Sequence, residues 1–374
     1  MEEAAPEGAL VCFSARSAFE LLLDALAFDE GSEILLSAIT HPDMARIVSR
    51  HGLVPVPVDL DLETLKPHLR DEAVTERTRG LVVAHLFGAR VDLDEAIAFS
   101  RRHGLVLIED CAQTLRSARD TGDARTDAAL FSFGSTKTAP ALGGAIAYLR
   151  DPAVRERMRR AQERWPGQSR KEYALRVVRF AGLLALGHPW VYEVFVRAGS
   201  RAGLDVDALV NRSVHALKPP SSDDRDEFGE WLRRRPSSPL LALLRRRLRT
   251  FDSDRLARRA ERGEAAARSL PLRVFQPGRA ADERTHWVFP IAVDDPKGTI
   301  DVLREHGFDA TAATSSIAAI EPAPAAARLM EKVVFVPVYP ELPERAFRRL
   351  LRVLEDELLG ERRSGVEPAE SVRA

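Results

Sequence analysis

The stretch GLVLIEDCAQTLRSARDTGDARTDAALFSFGSTKTAPALGGA, residues 104–145, holds an acid at the end of an apolar run and a lysine 27 residues later. LVLIE reads as a short buried strand, which sets Asp110 at a strand's C-terminal end. Lys137 lies in FGSTKTAPALGG, among Gly, Ser and Thr, with almost nothing else charged nearby. Lysine is a residue that chains usually send to water, so its position there calls for a reason.

Working outward, DAALFSFG supplies another strand, and the sequence before residue 104 alternates in the same way. SAFELLLDALAF (17–28) has helical apolar spacing, and EILLSAI follows as a strand. PDMARIVSRHG reads as a helix stopped by Gly52, and LVPVPVDL as strand and turn. DLETLKPHL places an acid near an expected helix start, RGLVVAHLF is a strand, and DLDEAIAFSRRHG is a helix ending in basic residues and Gly104. Short strands alternating with longer helices predict an α/β chain with a mainly parallel sheet, whose ligands sit at the C-terminal strand ends.

After residue 150 the character changes. Residues 150–175 are strongly charged and helical in pattern. RVVRFAGLLALGHPWVYEVFVRA (176–198) is apolar but interrupted by Gly187 and Pro189. It suits first a buried helix pair or an interface element; an apolar lid or a peripheral membrane contact is the sharper alternative. LKPPSSDDRDE reads as a loop, and LLALLRRRLRTFDSDRLARRAERGEAAARSL as one long basic helix with a solvated face. WVFPIAVDD, GTIDVLREHG, EKVVFVPVY and PERAFRRLLRVLEDELL then predict a small C-terminal α+β domain, followed by a frayed tail. The expected division is a large domain over 1–266, divergent and largely helical near 150–266, and a small domain over 267–374.

Composition excludes several classes. Lys plus Arg number 55 against 56 Asp plus Glu, so no global field points to nucleic acid, and the basic helix has interspersed acids without an aromatic platform. With 45% apolar residues the chain is not wholly disordered. The two cysteines, Cys12 and Cys111, form no disulfide framework or metal motif and fit a reducing compartment. MEEAAPEGAL lacks the basic and apolar regions of a signal peptide, and no run of about 18 apolar residues suggests a transmembrane segment. The expectation is a soluble cytoplasmic protein.

A nucleophilic lysine must be neutral at working pH, which takes desolvation or nearby cations. Asp110 needs a cationic or donating partner; Ser132, Ser135 and Thr136 offer hydroxyls, and Gly134 frees the backbone between them. Pyridoxal 5'-phosphate (PLP) meets all three needs, with an aldehyde for the lysine, a ring nitrogen for the aspartate and a phosphate for the hydroxyls. The same residues also suit a turn lysine beside a helix-capping aspartate, with serines merely populating loops.

SARSAFELLLDAL, GSEILLSAIT, HGLVPVPVDLD, HLFGARVDLDEAIAFSRRHGLVLIEDCAQ and FSFGSTKTAPALGG, in this order, resemble the DegT/DnrJ/EryC1/StrS family of PLP-dependent sugar aminotransferases. VVFVPVYPELPERAFRRLLRVLEDEL resembles its terminal segment, whereas the middle of the chain matches poorly. The resemblance implies the PLP-dependent transferase fold type I. It implies that Lys137 bonds the cofactor aldehyde, Asp110 pairs with the pyridinium nitrogen, Gln113 lies near the phenolic oxygen and Ser132 helps bind phosphate. Ala15 and Arg16 stand at the family's Gly-Thr phosphate positions, a departure in which Arg16 either contacts the phosphate directly or points outward. His41 stands near the position of an aromatic residue stacked on the ring, where imidazole can stack and carry a proton; a polar residue starting a helix is the other reading.

The implied reaction moves an amino group from an amino acid donor, glutamate being common in the family, to a keto-sugar or related carbonyl acceptor. Relatives that dehydrate deoxysugars carry histidine where this chain has Lys137. The family implies a homodimer with a shared active site and an Asn from the neighbouring subunit. No equivalent Asn is found, and Arg233, Arg234 or Arg235 is the expected substitute. GFDATAATSSIAAIEP replaces a His/Tyr-containing pattern, which points to an unusual acceptor. Two alternatives stand beside transamination: other PLP chemistry (elimination, decarboxylation or racemisation) and a non-catalytic regulatory or structural homologue.

Overall fold

The computed structural model describes residues 8–186, 225–271, 274–312 and 317–360. Its strands are β1 (Ala9–Cys12), β2 (Glu33–Ser37), β3 (Ile39–Thr40), β4 (Val54–Val58), β5 (Thr78–Ala84), β6 (Ala89–Arg90), β7 (Val106–Asp110), β8 (Ala128–Ser132), β9 (Ala145–Leu149), β10 (Glu283–Arg284), β11 (Phe289–Ala292), β12 (Ala318–Ala319) and β13 (Val333–Val336). The described helices are α1 (Ala15–Leu26), α2 (Pro42–Arg50), α3 (Asp94–His103), α4 (Pro152–Glu163), α5 (Arg170–Leu186) and α6 (Arg225–Leu232). They continue with α7 (Ser238–Arg249), α8 (Ser253–Ser269), α9 (Pro296–Glu305), α10 (Pro324–Lys332) and α11 (Glu344–Gly360).

Seven strands form one mixed sheet in the order β1-β9-β8-β7-β5-β2-β4. The pairs β2–β4, β2–β5, β5–β7 and β7–β8 are parallel, while β9 pairs antiparallel with both β1 and β8. The parallel strands are apolar because both faces are covered. Along β2, Ile34 and Leu36 enter a core shared with Phe19, Leu22 and Leu23 of α1, whereas Leu35 enters the opposite core with Ile97 and Phe99 of α3. That alternation is the period-two geometry of a strand. The same alternation aims Glu109 and Asp110 of β7 to opposite faces.

The last part of the chain packs around the antiparallel pair β11–β13, with Leu303, Phe308, Phe347 and Leu350 in its own apolar cluster. β12 pairs with β3, and β10 with β6, so this part is also tied back to the large sheet's loops.

The structure differs from the sequence expectations in three places. DLETLKPHL is a turn instead of a helix start: Asp61 Oδ1 accepts the N–H groups of Glu63 and Thr64, Leu65 has φ 64°, and Pro67 has no N–H to give. The single long basic helix is two, α7 and α8, because Asp252 caps a fresh start by accepting the Arg255 N–H at 2.7 Å. α10 forms over PAAARLMEK, which the sequence reading passed over. Of the apolar segment 176–198, the structure describes residues up to 186; the rest lies outside the described residues. In the described part Val178 and Leu184 are exposed, so a wholly buried helix does not form there.

Candidate active site

The C-terminal ends of β7 and β8 and the N-terminal ends of α1 and α2 converge on a cleft of about 230 Å³. Ala15, Arg16, His41, Asp110, Gln113, Ser132 and Lys137 all line it. Residues separated by more than a hundred positions thus meet because a parallel sheet puts its loops at one edge. His85, Arg176, Phe180 and Trp231 also line the cleft and were missed by sequence reasoning. Three of these come from the divergent middle, where no pattern marked them; His85 directly follows β5.

Lys137 lies in a folded loop. Its N–H donates to the Gly134 carbonyl at 3.2 Å, and the N–H groups of Ala141 and Gly143 both donate to the Phe133 carbonyl. Burial lowers the Lys137 pKa from 10.5 to about 8; the Asp110 charge opposes this and Arg16 assists it. Its Nζ stands 4.2 Å from the centroid of the Trp287 ring, and the Trp287 indole N–H donates to the Thr136 carbonyl at 2.8 Å. Asp110 Oδ1 accepts the Ala112 N–H at 3.0 Å. Burial raises the Asp110 pKa, while that hydrogen bond and the Lys137 charge pull it down.

At the other end of the cleft, α1 begins with Ser14 as its cap, whose side chain accepts the Ser17 N–H. The N–H groups of Ala15 and Arg16 have no intrahelical acceptor and form the positive end of the helix dipole. Ser132 Oγ lies near the same loop: a Cβ built on Gly134 would stand 3.9 Å from it and 3.8 Å from Lys137 Cγ. Gln113 accepts the Phe87 N–H through its amide oxygen at 2.7 Å, which leaves the amide nitrogen to donate.

Residues 5–182 match the model of the DegT/DnrJ/EryC1/StrS aminotransferase family. That match takes in a little under half of the chain. It is 42% identical over 148 residues to the erythromycin biosynthesis sensory transduction protein EryC1 of Saccharopolyspora erythraea, covering 38% of this chain and 40% of the relative. It is 36% identical over 152 residues to dTDP-3-amino-3,4,6-trideoxy-alpha-D-glucose transaminase of Streptomyces venezuelae, covering 39% and 40%. The chain thus spans about two fifths of the length of these curated relatives. The crystal structure of the aminotransferase TlmJ from Streptoalloteichus hindustanus superposes with a TM-score of 0.66 at 17% identity, covering 95% of this chain and 87% of that one. The shared fold is the PLP-dependent transferase fold type I.

Against the DegT/DnrJ/EryC1/StrS pattern, two departures acquire geometry. Arg16 does not point outward: it pairs with Asp43 and its guanidinium lies 4.5 Å from the Trp231 ring centroid. His41 caps α2, its Nδ1 accepting the Asp43 N–H at 3.1 Å. Burial first, then the Arg16 charge, lower its pKa to about 4 against the pull of Asp43. The imidazole is therefore held neutral near pH 7. Arg233 and Arg234 pair within their own chain, with Glu20 at 2.8 Å and Glu172 at 3.6 Å, and neither they nor Arg235 line the cleft.

Behind the cleft, His85, Glu109 and Cys111 place ligand-capable atoms within 4.8 Å of one another. The Glu109 oxygens already accept from Arg90, Thr126 and the Asp123 N–H, at 2.6–2.8 Å. A carboxylate so fully bonded belongs to an internal polar network that braces β7, with no lone pair reserved for an ion.

Proposed function

We propose that the chain is a PLP-dependent aminotransferase that carries an amino group from an amino acid donor, glutamate in the first instance, to a keto-sugar or related carbonyl acceptor. The observation that carries the reading is one cleft holding a lysine whose pKa falls to about 8, a strand-end aspartate, and the open N-terminus of α1. The match of residues 5–182 to the aminotransferase family model supports the reaction class, and the activity named for the Streptomyces venezuelae relative supports the acceptor class.

The residues present fit the cofactor. Lys137 offers the amine, Asp110 the carboxylate, and Ser132 with the Ala15 and Arg16 N–H groups a cradle for a phosphate. When bound, PLP supplies an aldehyde carbon and a ring that accepts electrons. Asp110, held at the end of β7, would keep a proton on the ring nitrogen. Lys137 Nζ, neutral in a useful fraction near pH 7, would hold the aldehyde and could take up or return the donor's α-proton. Gln113 would donate its amide N–H to the ring's oxygen, and Phe180 and Trp231 in the cleft wall would help keep water out.

The reading extends to a homodimer in the cytoplasm and to a division near residue 267 between a large cofactor-holding domain and a small C-terminal one. No described helix is long and apolar enough to cross a membrane. The test is a titration of purified protein with PLP followed by addition of glutamate and other amino donors. Conversion of the cofactor to its aminated form, lost in Lys137→Ala, is expected. Cofactor binding with no conversion by any donor points to other PLP chemistry. Absence of binding points to a non-catalytic homologue, a reading that the departure at Ala15 and Arg16 keeps in view.

A further inference from the structure

We propose that Arg176 is this chain's own cationic ligand for the cofactor phosphate, closing the anion end of the cleft from α5. The inference rests on the PLP reading and deepens it. Arg176 lines the cleft, and its Nη1 donates to the Leu142 carbonyl at 3.0 Å. That contact fixes where the guanidinium stands. Leu142 leads into Gly143 and Gly144, and Gly144 N–H donates to the Phe13 carbonyl at 2.8 Å, one residue before the cap of α1. A Cβ on Gly143 would lie 3.6 Å from Arg176 Nη1 and 4.0 Å from the Phe13 oxygen, so the two chain segments meet at this point. The guanidinium therefore borders the helix end whose Ala15 and Arg16 N–H groups have no intrahelical acceptor.

Charge accounting leads to the same place. A phosphate monoester carries about −1.5 to −2 charges at neutral pH. Arg16, the other cation at this end, is already neutralised by Asp43 and stacked on Trp231. Two backbone N–H groups and a serine do not balance a dianion in a partly buried cleft. Arg176 makes no ion pair among the described residues and donates only to a carbonyl. Burial lowers its pKa below the ordinary guanidinium value, with Tyr173 and Glu172 opposing and Arg234 adding to the fall. An anion beside it would complete both partners, and a guanidinium matches a phosphate through two parallel N–H bonds. The residue belongs to the stretch that the sequence reading treated as a lid or interface, and Arg233 and Arg234 are paired with Glu20 and Glu172.

The experiment compares cofactor-free wild type, Arg176→Leu and Arg176→Lys in binding titrations with PLP, with pyridoxal (the same ring without phosphate) and with inorganic phosphate. Arg176→Leu is expected to weaken PLP binding by at least about tenfold, to leave pyridoxal within about twofold, and to abolish the rise in unfolding midpoint that inorganic phosphate gives the wild type. Arg176→Lys is expected to recover part of the PLP loss. Equal loss of PLP and pyridoxal would overturn the proposal by making Arg176 a wall residue only. Unchanged PLP binding in Arg176→Leu would overturn it by showing that the phosphate is held without this guanidinium. In both cases the cofactor reading survives; a wild type that binds none of the three probes overturns the cofactor reading and this inference together.

Discussion

Replacing Lys137 with Met is expected to stabilise the cofactor-free protein near pH 7. Folding lowers the amine's pKa from 10.5 to about 8. Those 2.5 units, at about 1.36 kcal/mol each, make the ammonium cost the folded state roughly 3 kcal/mol. The figure is already net of the attraction to Asp110, since that charge is one of the causes that set the value. The Trp287 ring, 4.2 Å from Nζ, returns about 1 kcal/mol to the cation. The expected gain for Lys137→Met is therefore about 2 kcal/mol. The sign follows from proton counting. Below pH 8 both states of the wild type are protonated and the full cost is present; between 8 and 10.5 the unfolded chain binds more protons, so the wild type gains stability as pH rises and the gap closes. Urea unfolding of both proteins at several pH values across this window measures it. A variant less stable than wild type at neutral pH, or a gap that stays constant through the window, would refute the claim that burial strains this amine.

Three further outcomes follow from the same geometry. Cys12 and Cys111 are buried and their thiol pKa values are pushed up, that of Cys12 to about 12, so a thiol reagent near neutral pH should label neither until the chain unfolds. Rapid labelling of the native protein would count against the β1 and β7 packing. Gly88→Ala is expected to cost more than about 2 kcal/mol and to shift tryptophan fluorescence, because φ is 88° and a Cβ would meet the Trp287 amide nitrogen and Thr285 Oγ1; an unchanged urea midpoint would contradict that contact. Glu109→Gln should cost about 2 kcal/mol at neutral pH, because the buried Arg90 loses its closer carboxylate at 2.8 Å and keeps only Asp120 at 3.3 Å. Although burial alone raises the Glu109 pKa, hydrogen bonding and charge from His85, with Arg90, hold it below the ordinary value. The loss should therefore be complete above the unfolded carboxylate pKa and shrink in acid; a gap that widens in acid argues against an ionised Glu109.

What the sequence determined by itself was local and periodic. Apolar runs such as EILLS and VLIED form strands because both faces of a parallel sheet are dry, and Asp110 falls at a strand end for that reason alone. Lys137 among small residues stood out as a candidate because so little else in that segment competes for its charge, and it does line the cleft. Ser132, Gln113, Ala15, Arg16 and His41 lie in ordered segments whose spacing carries across a family, so their meeting in one cleft was also within reach.

Only the tertiary structure decided the rest, because those choices depend on partners distant in sequence. Pairing with Asp43 turned Arg16 inward and reduced its free charge, and the Asp43 N–H made His41 a helix cap. Asp252 divided an apparently continuous basic helix, a competition between side chain and backbone that periodicity does not register. Arg176, Phe180 and Trp231 reached the cleft because α5 and α6 pack against the loop after β8 and the start of α1. One-dimensional pattern records which face of an element is apolar; it does not record which distant element that face will meet.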